Sequence, residues 1–271
     1  MNLQTLSEIL SRVRQTQPLI HCITNPISIH QCANAILAVG GRPIMAEHPG
    51  EVGEITRTAK GLLLNLGNIT DIRMESIRIS ARTAAEAGIP IVLDAVGIAC
   101  SRLRRDFLRE LLSSVTPTVI KGNYSEIYSL YRDSYRASGV DADGSLDAAA
   151  MDRCAVALAR ANRTMILASG KADILTDGKR LVHIRNGTAQ LSSVTGTGCM
   201  LGALCAAYLS VDPSLDALIA ACAILGISGE QARTSAGSGT FFVNLMDALS
   251  TLGADGICAN LNPEEIPHEN I

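Results

Sequence analysis

The sequence predicts an α/β protein: a mostly parallel central sheet flanked by helices, followed by a helical C-terminal third. Three observations carry that expectation. Six short apolar runs alternate with amphipathic helical patterns through the first 170 residues, and the alternation then stops. Near the stop, the turn Gly196-Thr197-Gly198 opens directly onto a long apolar stretch that reads as helix.

In chain order, "MNLQTLSEILSRVRQ" reads as an amphipathic helix whose charges lie within it, unlike the basic-then-apolar order of a signal peptide. The strand-like runs are "PLIHCIT" (18–24), "RPIMA" (42–46), "GLLLNLG" (61–67), "IPIVLDAVG" (89–97), "PTVIKGN" (117–123) and "TMILASG" (164–170). Among the intervening segments, "SIHQCANAILAVG", "DIRMESIRISARTAAEAG" and "SRLRRDFLRELLSSV" repeat apolar residues at three- and four-residue spacing. Strand, helix, strand in this order implies parallel pairing with helices on both faces. Several runs end in Gly, Asn or Asp, at the strand ends where such sheets place their chemistry. Residues 132–150 read as a polar surface loop. "KADILTDGKRLVHIRNG" reads as a hairpin turning at Asp177 and Gly178, and from Thr197 to about Leu252 the pattern is helical. A barrel of alternating strands and helices would continue the alternation to its end. Gly196, Gly198 and Gly202 also lack the following strand and terminal acid of a dinucleotide fingerprint. The 271 residues are expected to form a single domain, 1–271.

Composition narrows the function classes. With 47% hydrophobic and 18% charged residues, a net charge of −3 and no basic run, the chain lacks the cationic footprint of a nucleic-acid binder. It has no stretch of 18 uncharged apolar residues, so no membrane span is expected, and a cytoplasmic location is. Eight cysteines (Cys22, Cys32, Cys100, Cys154, Cys199, Cys205, Cys222, Cys258) form no C-x-x-C pair, and all but Cys199 are expected to be small buried residues. His21, His30 and His48 have no spacing that makes a metal pair on one helix and are expected to be structural.

The glycine turn invites a sharper reading. Unpaired N–H groups and the positive end of a helix dipole meet there, which suits an anion such as a phosphoryl group in transfer. A glycine-rich entry into a tightly packed helix accounts for the same residues, and spacing leaves both readings open.

"LIHCITNPISIHQCANAILAVGGRPIMAEHPGEV", "VLDAVG", "VIKGNYSEI", "ASGKAD" and "SSVTGTGCMLGAL", in this order and from about Pro18 to Ala248, resemble the 4-methyl-5-(2-hydroxyethyl)thiazole kinases of thiamine salvage. That family is part of the ribokinase-like superfamily, so the resemblance implies a three-layer sandwich and transfer of phosphate from ATP, with Mg²⁺, to the primary hydroxyl of the thiazole alcohol. It implies that the amides of Gly196, Thr197, Gly198 and Cys199 form an anion hole, with Cys199 where most of the superfamily carries an aspartate base. It further implies that Asp94 and Glu126 hold Mg²⁺ through water, that Lys121 and Ser169 contact ATP, and that Asn123 orients phosphate or metal-bound water. On the substrate side it implies Met45 and Gly196 against the thiazole ring and Asn25 toward the ring nitrogen. A homotrimer with the thiazole pocket at subunit contacts is implied as well. Hydroxymethylpyrimidine kinases and ADP-dependent hydrate dehydratases share the anion hole, but "TNPIS" and "RPIMAEHP" match the thiazole branch. A nucleotide sensor that lost its chemistry with the aspartate is the reading from another class.

Overall fold

The structure is a computed structural model that describes residues 2–136 and 148–267. Helix α1 (Leu3–Thr16) is followed by β1 (Leu19–Ile23), α2 (Ile29–Ala38), β2 (Arg42–Ile44), α3 (Val52–Thr58), β3 (Gly61–Asn65), α4 (Asp71–Ala87), β4 (Ile91–Asp94), α5 (Arg102–Ser114), β5 (Val119–Asn123) and α6 (Tyr124–Arg136). The chain continues through α7 (Ala148–Asn162), β6 (Met165–Ser169), β7 (Asp173–Thr176), β8 (Leu181–Ile184), a 3₁₀ turn (Ala189–Ser193), α8 (Thr197–Leu209), α9 (Leu215–Gln231), α10 (Ser238–Thr251), α11 (Ala254–Asn260) and β9 (Pro263–Ile266).

The strands form one sheet in the order β2-β1-β3-β4-β5-β6-β7-β8-β9. Pairing is parallel from β2 through β6 and antiparallel from β6 to β9. The six apolar runs all become strands, and the hairpin forms where the Asp177-Gly178 turn predicts it. Gly178 adopts φ +85°, a conformation that glycine reaches without strain.

Alternation along each strand sorts side chains onto two faces. Cys22, Leu63, Val92, Val119 and Leu167 pack with α1, α2, α8, α9 and α10. Ile23, Leu64, Leu93, Ile120 and Ile166 pack with α4, α5, α6 and α7. The result is a three-layer sandwich. The same alternation aims Asn65, Asp94 and Lys121, each two residues beyond Leu63, Val92 and Val119, toward the α8 side. Three polar groups therefore gather beneath one helix at the carboxyl ends of adjacent strands.

Connections leave β1 and β3 in opposite directions: β1 leads through α2 to β2 on one side, β3 through α4 to β4 on the other. Because α2 and α4 lie on opposite faces, a crevice opens above the carboxyl ends of β1 and β3, the switch point at which open α/β sheets bind ligands.

Helix α8 lies over β3 and β4. Residues 200–209 are all buried, as expected for a helix apolar on every side. Its close seat depends on Gly61: a Cβ there would come within 2.5 Å of the Ala206 carbonyl oxygen. Gly61→Ala is expected to destabilise the protein by about 2 kcal/mol or more, because backbone has to move; a chemical-denaturation midpoint equal to wild type would refute this.

Three differences from the sequence reading stand out. The segment 132–150 is helical at both described ends, 132–136 in α6 and 148–150 in α7, while 137–147 lies outside the described residues. The C-terminal third ends in α11 and then β9, which adds an edge strand from Pro263 to Ile266. Cys100 is exposed and Cys258 half-buried, since both sit on short surface segments instead of core faces. His21 is the structural histidine expected, buried and bonded to Thr56 Oγ1 and the Ala46 carbonyl oxygen, whereas His30 and His48 are exposed.

Candidate active site

Gly196 caps α8 with φ +89°, in the left-handed region, and no side chain caps the helix. The first-turn N–H groups of α8 therefore face the crevice without a capping oxygen. Thr197 fixes the turn from beneath, its hydroxyl donating to the Leu191 carbonyl at 2.9 Å. Bare donors, a dipole end and a rigid turn suit an anion.

Lys121 supplies a full positive charge beside this turn. A Cβ at Gly198 would lie 3.7 Å from its Nζ. The ammonium is 4% exposed and donates to both oxygens of the fully buried Asp94, at 3.1 and 3.2 Å. Burial pushes the Lys121 pKa down, but the Asp94 carboxylate and the neighbouring Cys199 and Glu126 outweigh it, so the lysine stays charged. Asp94 is raised to about 6 by burial, which Lys121 opposes and Glu126 reinforces. A third ammonium hydrogen of Lys121 is left over from the pair with Asp94.

Glu126 and Asn123 form a capping box at the start of α6. The Asn123 Oδ1 accepts from Glu126 N at 2.9 Å and Glu126 Oε2 accepts from Asn123 N at 2.7 Å. Glu126 Oε1 accepts from Gly97 N at 2.7 Å, tying the loop after β4 to α6. Each carboxylate oxygen of Asp94 and Glu126 thus already holds at least one protein hydrogen bond. Among the described residues, no group of three or more His, Cys, Asp or Glu side chains is arranged to ligate a metal directly. What the pair can offer is an outer shell: the remaining lone pairs of two buried carboxylates at neighbouring strand ends suit the water of a hydrated Mg²⁺.

On the other side of the turn, the Cys199 sulfur is half-buried and accepts from two carboxamides, Asn25 Nδ2 at 3.2 Å and Asn65 Nδ2 at 3.4 Å. Asn25 ends at the crevice from β1; its Oδ1 accepts from Ser28 N at 3.2 Å, and its second N–H goes to Asn65 Oδ1 at 3.2 Å. Both of its N–H groups are therefore spent inside the protein, and the bond to a ring nitrogen expected for Asn25 has no free donor. Met45, just past the edge strand β2, is partly buried against the same core as Cys199. Gly196 lies against α2, where an added Cβ would be 3.5 Å from Ser28 Cβ and Gln31 Cδ.

Next to the turn lies a cleft of about 750 Å³, lined by Ser169, Asp173, Thr188, Thr197, Gly198 and Gly226 among others. Ser169 ends β6 opposite Asn123 in the sheet register. The anion turn thus joins a large cleft on one side to the Cys199, Asn25 and Met45 side on the other. Sequence reasoning missed Asn65 and Asp173. Asn65 is wholly buried at the end of an apolar strand, and its readable signal was a single amide closing "GLLLN".

A profile of the Hydroxyethylthiazole kinase family matches residues 10–255. The chain is 43% identical over 254 residues to "Hydroxyethylthiazole kinase 2" of Clostridium botulinum (strain Hall), covering 92% of this chain and 96% of that protein. It is 41% identical over 264 residues to a hydroxyethylthiazole kinase of Finegoldia magna, covering 97% and 98%. Among solved structures, the hydroxyethylthiazole kinase protein of Pyrococcus horikoshii OT3 superposes with a TM-score of 0.89 at 32% identity, over 97% of this chain and all of that one. A pyridoxal kinase of Staphylococcus aureus, at 14% identity and a TM-score of 0.62 over 92% and 98% of the two chains, shares the fold.

Proposed function

The chain belongs to the hydroxyethylthiazole kinase family, and from that premise we propose that it transfers the γ-phosphoryl group of ATP to the primary hydroxyl of 4-methyl-5-(2-hydroxyethyl)thiazole in thiamine salvage. The observation that carries this reading is the uncapped start of α8, flanked by the Lys121 ammonium on one side and the Cys199 sulfur on the other.

ATP occupies the cleft beside Ser169, with its terminal phosphate at the turn. The remaining hydrogen of Lys121 and the amides of residues 196–199 receive the charge that spreads over the phosphoryl oxygens. The thiazole alcohol sits between Met45 and Gly196, with its hydroxyl toward Cys199. Its oxygen forms the new bond to phosphorus as the bond to the β,γ-bridging oxygen breaks; ADP leaves and the hydroxyl proton passes to the Cys199 sulfur. Asp94 and Glu126 hold Mg²⁺ through its water, and the ion neutralises phosphate charge when bound with the nucleotide. Asn123 fixes Glu126 for that task through the capping box. Asn25 frames the sulfur.

These residues stand at the carboxyl ends of strands of a single sheet or at the starts of α6 and α8 beside them, so the chain is read as one catalytic unit. No helix among the described residues is long and apolar enough to cross a membrane, in keeping with a cytoplasmic enzyme of small molecules. Ile27 before α2, Leu37 on α2 and Val243 on α10 are more than half exposed, and α2 and α10 pack together. Exposed apolar side chains on these two elements would suit the subunit contacts of a homotrimer, which we propose border the pocket.

The test is one preparation of purified protein with Mg-ATP and a panel of thiazole and pyrimidine alcohols, read as ADP release, with its mass measured by light scattering. Turnover of the thiazole alcohol above the others, by a particle of three chains, is expected. Nucleotide binding without turnover of any alcohol would overturn the kinase reading, and a monomer would overturn the trimer.

A further inference from the structure

The wholly buried amide of Asn65 has four partners and takes part in no step above. Its Oδ1 accepts from Gly67 N at 2.8 Å and from Asn25 Nδ2 at 3.2 Å, and its Nδ2 donates to Asp94 Oδ2 at 2.9 Å and to Cys199 Sγ at 3.4 Å. An asparagine has two donor hydrogens and one acceptor oxygen with two lone pairs, so this side chain is saturated. Its orientation is also forced. Turned over, the carbonyl would face the Asp94 carboxylate, and the NH₂ would face the N–H groups of Gly67 and Asn25.

We propose that Asn65 is the positioning residue of this site: one amide group sets the Cys199 sulfur and the Asp94 carboxylate in fixed relation across the crevice. The geometry is specific to the fold. Asn65 ends β3, the strand between β1, which brings Asn25, and β4, which brings Asp94; α8 brings Cys199 from above. Lys121 then extends the chain of bonds from Asp94 to the side of Gly198. The sulfur that takes the proton and the ammonium that meets the phosphate are therefore held by one connected set of hydrogen bonds, with Asn65 at its junction. A side chain with no role in the reaction would not need to bridge both halves.

The inference rests on the kinase reading for its kinetic arm, and a second arm is independent of it. Asn65→Ala is expected to lower kcat about 30- to 100-fold while KM for alcohol and for ATP stays within about threefold, since it removes orientation and not binding. In a Cys199→Ala background the same substitution is expected to cost at least about threefold less than it does in wild type, because one of the two groups it holds in relation is gone. Equal losses in both backgrounds, or no loss in the first, would overturn the proposal. The second arm follows alkylation of Cys199 by iodoacetamide at neutral pH, located by mass spectrometry. Around this sulfur are Asn25 after β1, Lys121 of β5 and Cys32 of α2, with Asp94 of β4 beyond Asn65, all left in place. The two donated N–H groups hold this sulfur in one orientation, and alkylation needs a sulfur presented to the reagent. Alkylation of Asn65→Ala and of the milder Asn65→Ser should be at least about threefold slower than wild type, with the nucleotide Kd unchanged. Unchanged alkylation in Asn65→Ser would overturn the positioning role even if the alcohol substrate proved to be another, and Asn65→Ser serves if the alanine variant does not fold.

Discussion

Lys121→Met is expected to cut kcat/KM by about 10³-fold, the scale of losing a charge aimed at a transition-state oxyanion. It is also expected to destabilise the fold by about 3–5 kcal/mol at neutral pH, because it strands a buried carboxylate. The size of the stability loss depends on pH in a direction the site dictates. Asp94 ionises near 6 in the folded protein, against an ordinary value of 3.8, because burial disfavours its charge more than Lys121 favours it, with Glu126 adding to the rise. For a carboxyl raised by folding, the native state holds the extra proton, so its contribution is fully present below 3.8 and is lost as pH climbs through about 6. Removing the lysine lifts the folded value further, and the losing window then extends upward past 6. Thermal melts of Lys121→Met and wild type at about pH 5 and pH 8 should show the larger gap at the higher pH. A gap independent of pH would mean that Asp94 is not the group left uncompensated.

Cys199→Ala is expected to lower kcat by about 10²-fold or more, within the range of a general base, and to leave KM for the alcohol nearly unchanged. Cys199→Asp should keep or raise turnover. The surroundings explain the second result: Asn25 and Asn65 already point N–H donors at this position, and Lys121 lies close by, so a carboxylate placed there meets two hydrogen bonds and a positive charge. Steady-state kinetics of the pair decide it. An alanine variant as fast as wild type would remove Cys199 from the proton's path and leave the anion turn as the main source of rate. Retained activity in alanine together with a dead aspartate would mean the two carboxamides do not receive an anion.

The frame of this site was legible before any coordinates. Runs such as "GLLLN", "IVLD" and "VIKGN" place a polar residue at the carboxyl end of an apolar strand, and period-two alternation is enough to send Asn65, Asp94 and Lys121 to one face. What the pattern does not contain is partnership. Lys121 reads as a phosphate ligand, yet two of its donors are committed to Asp94, a residue 27 positions away whose distance is fixed only by β4 and β5 pairing. Asn25 reads as a substrate ligand for the same reason: its donors are claimed by Asn65 and Cys199, 40 and 174 residues on. For Glu126 the local signal was present, since Asn123 and Glu126 stand at the N-cap and third helical positions, a capping box readable from spacing. α11 and β9 escaped because each is short and little buried, so neither imposes a period on its residues.

The sheet's two outer strands show how the molecule avoids sticking to copies of itself. β2 is three residues long and contains Pro43, and β9 combines Pro263 with two outward glutamates, Glu264 and Glu265. Both rims are thus poor templates for a foreign strand. β9 covers the outer edge of the apolar "LVHI" strand β8, whose other edge is paired with β7, so β8 would become an open apolar rim without it. Removing β9 would leave that rim open, and its cost would fall on solubility before it reached chemistry.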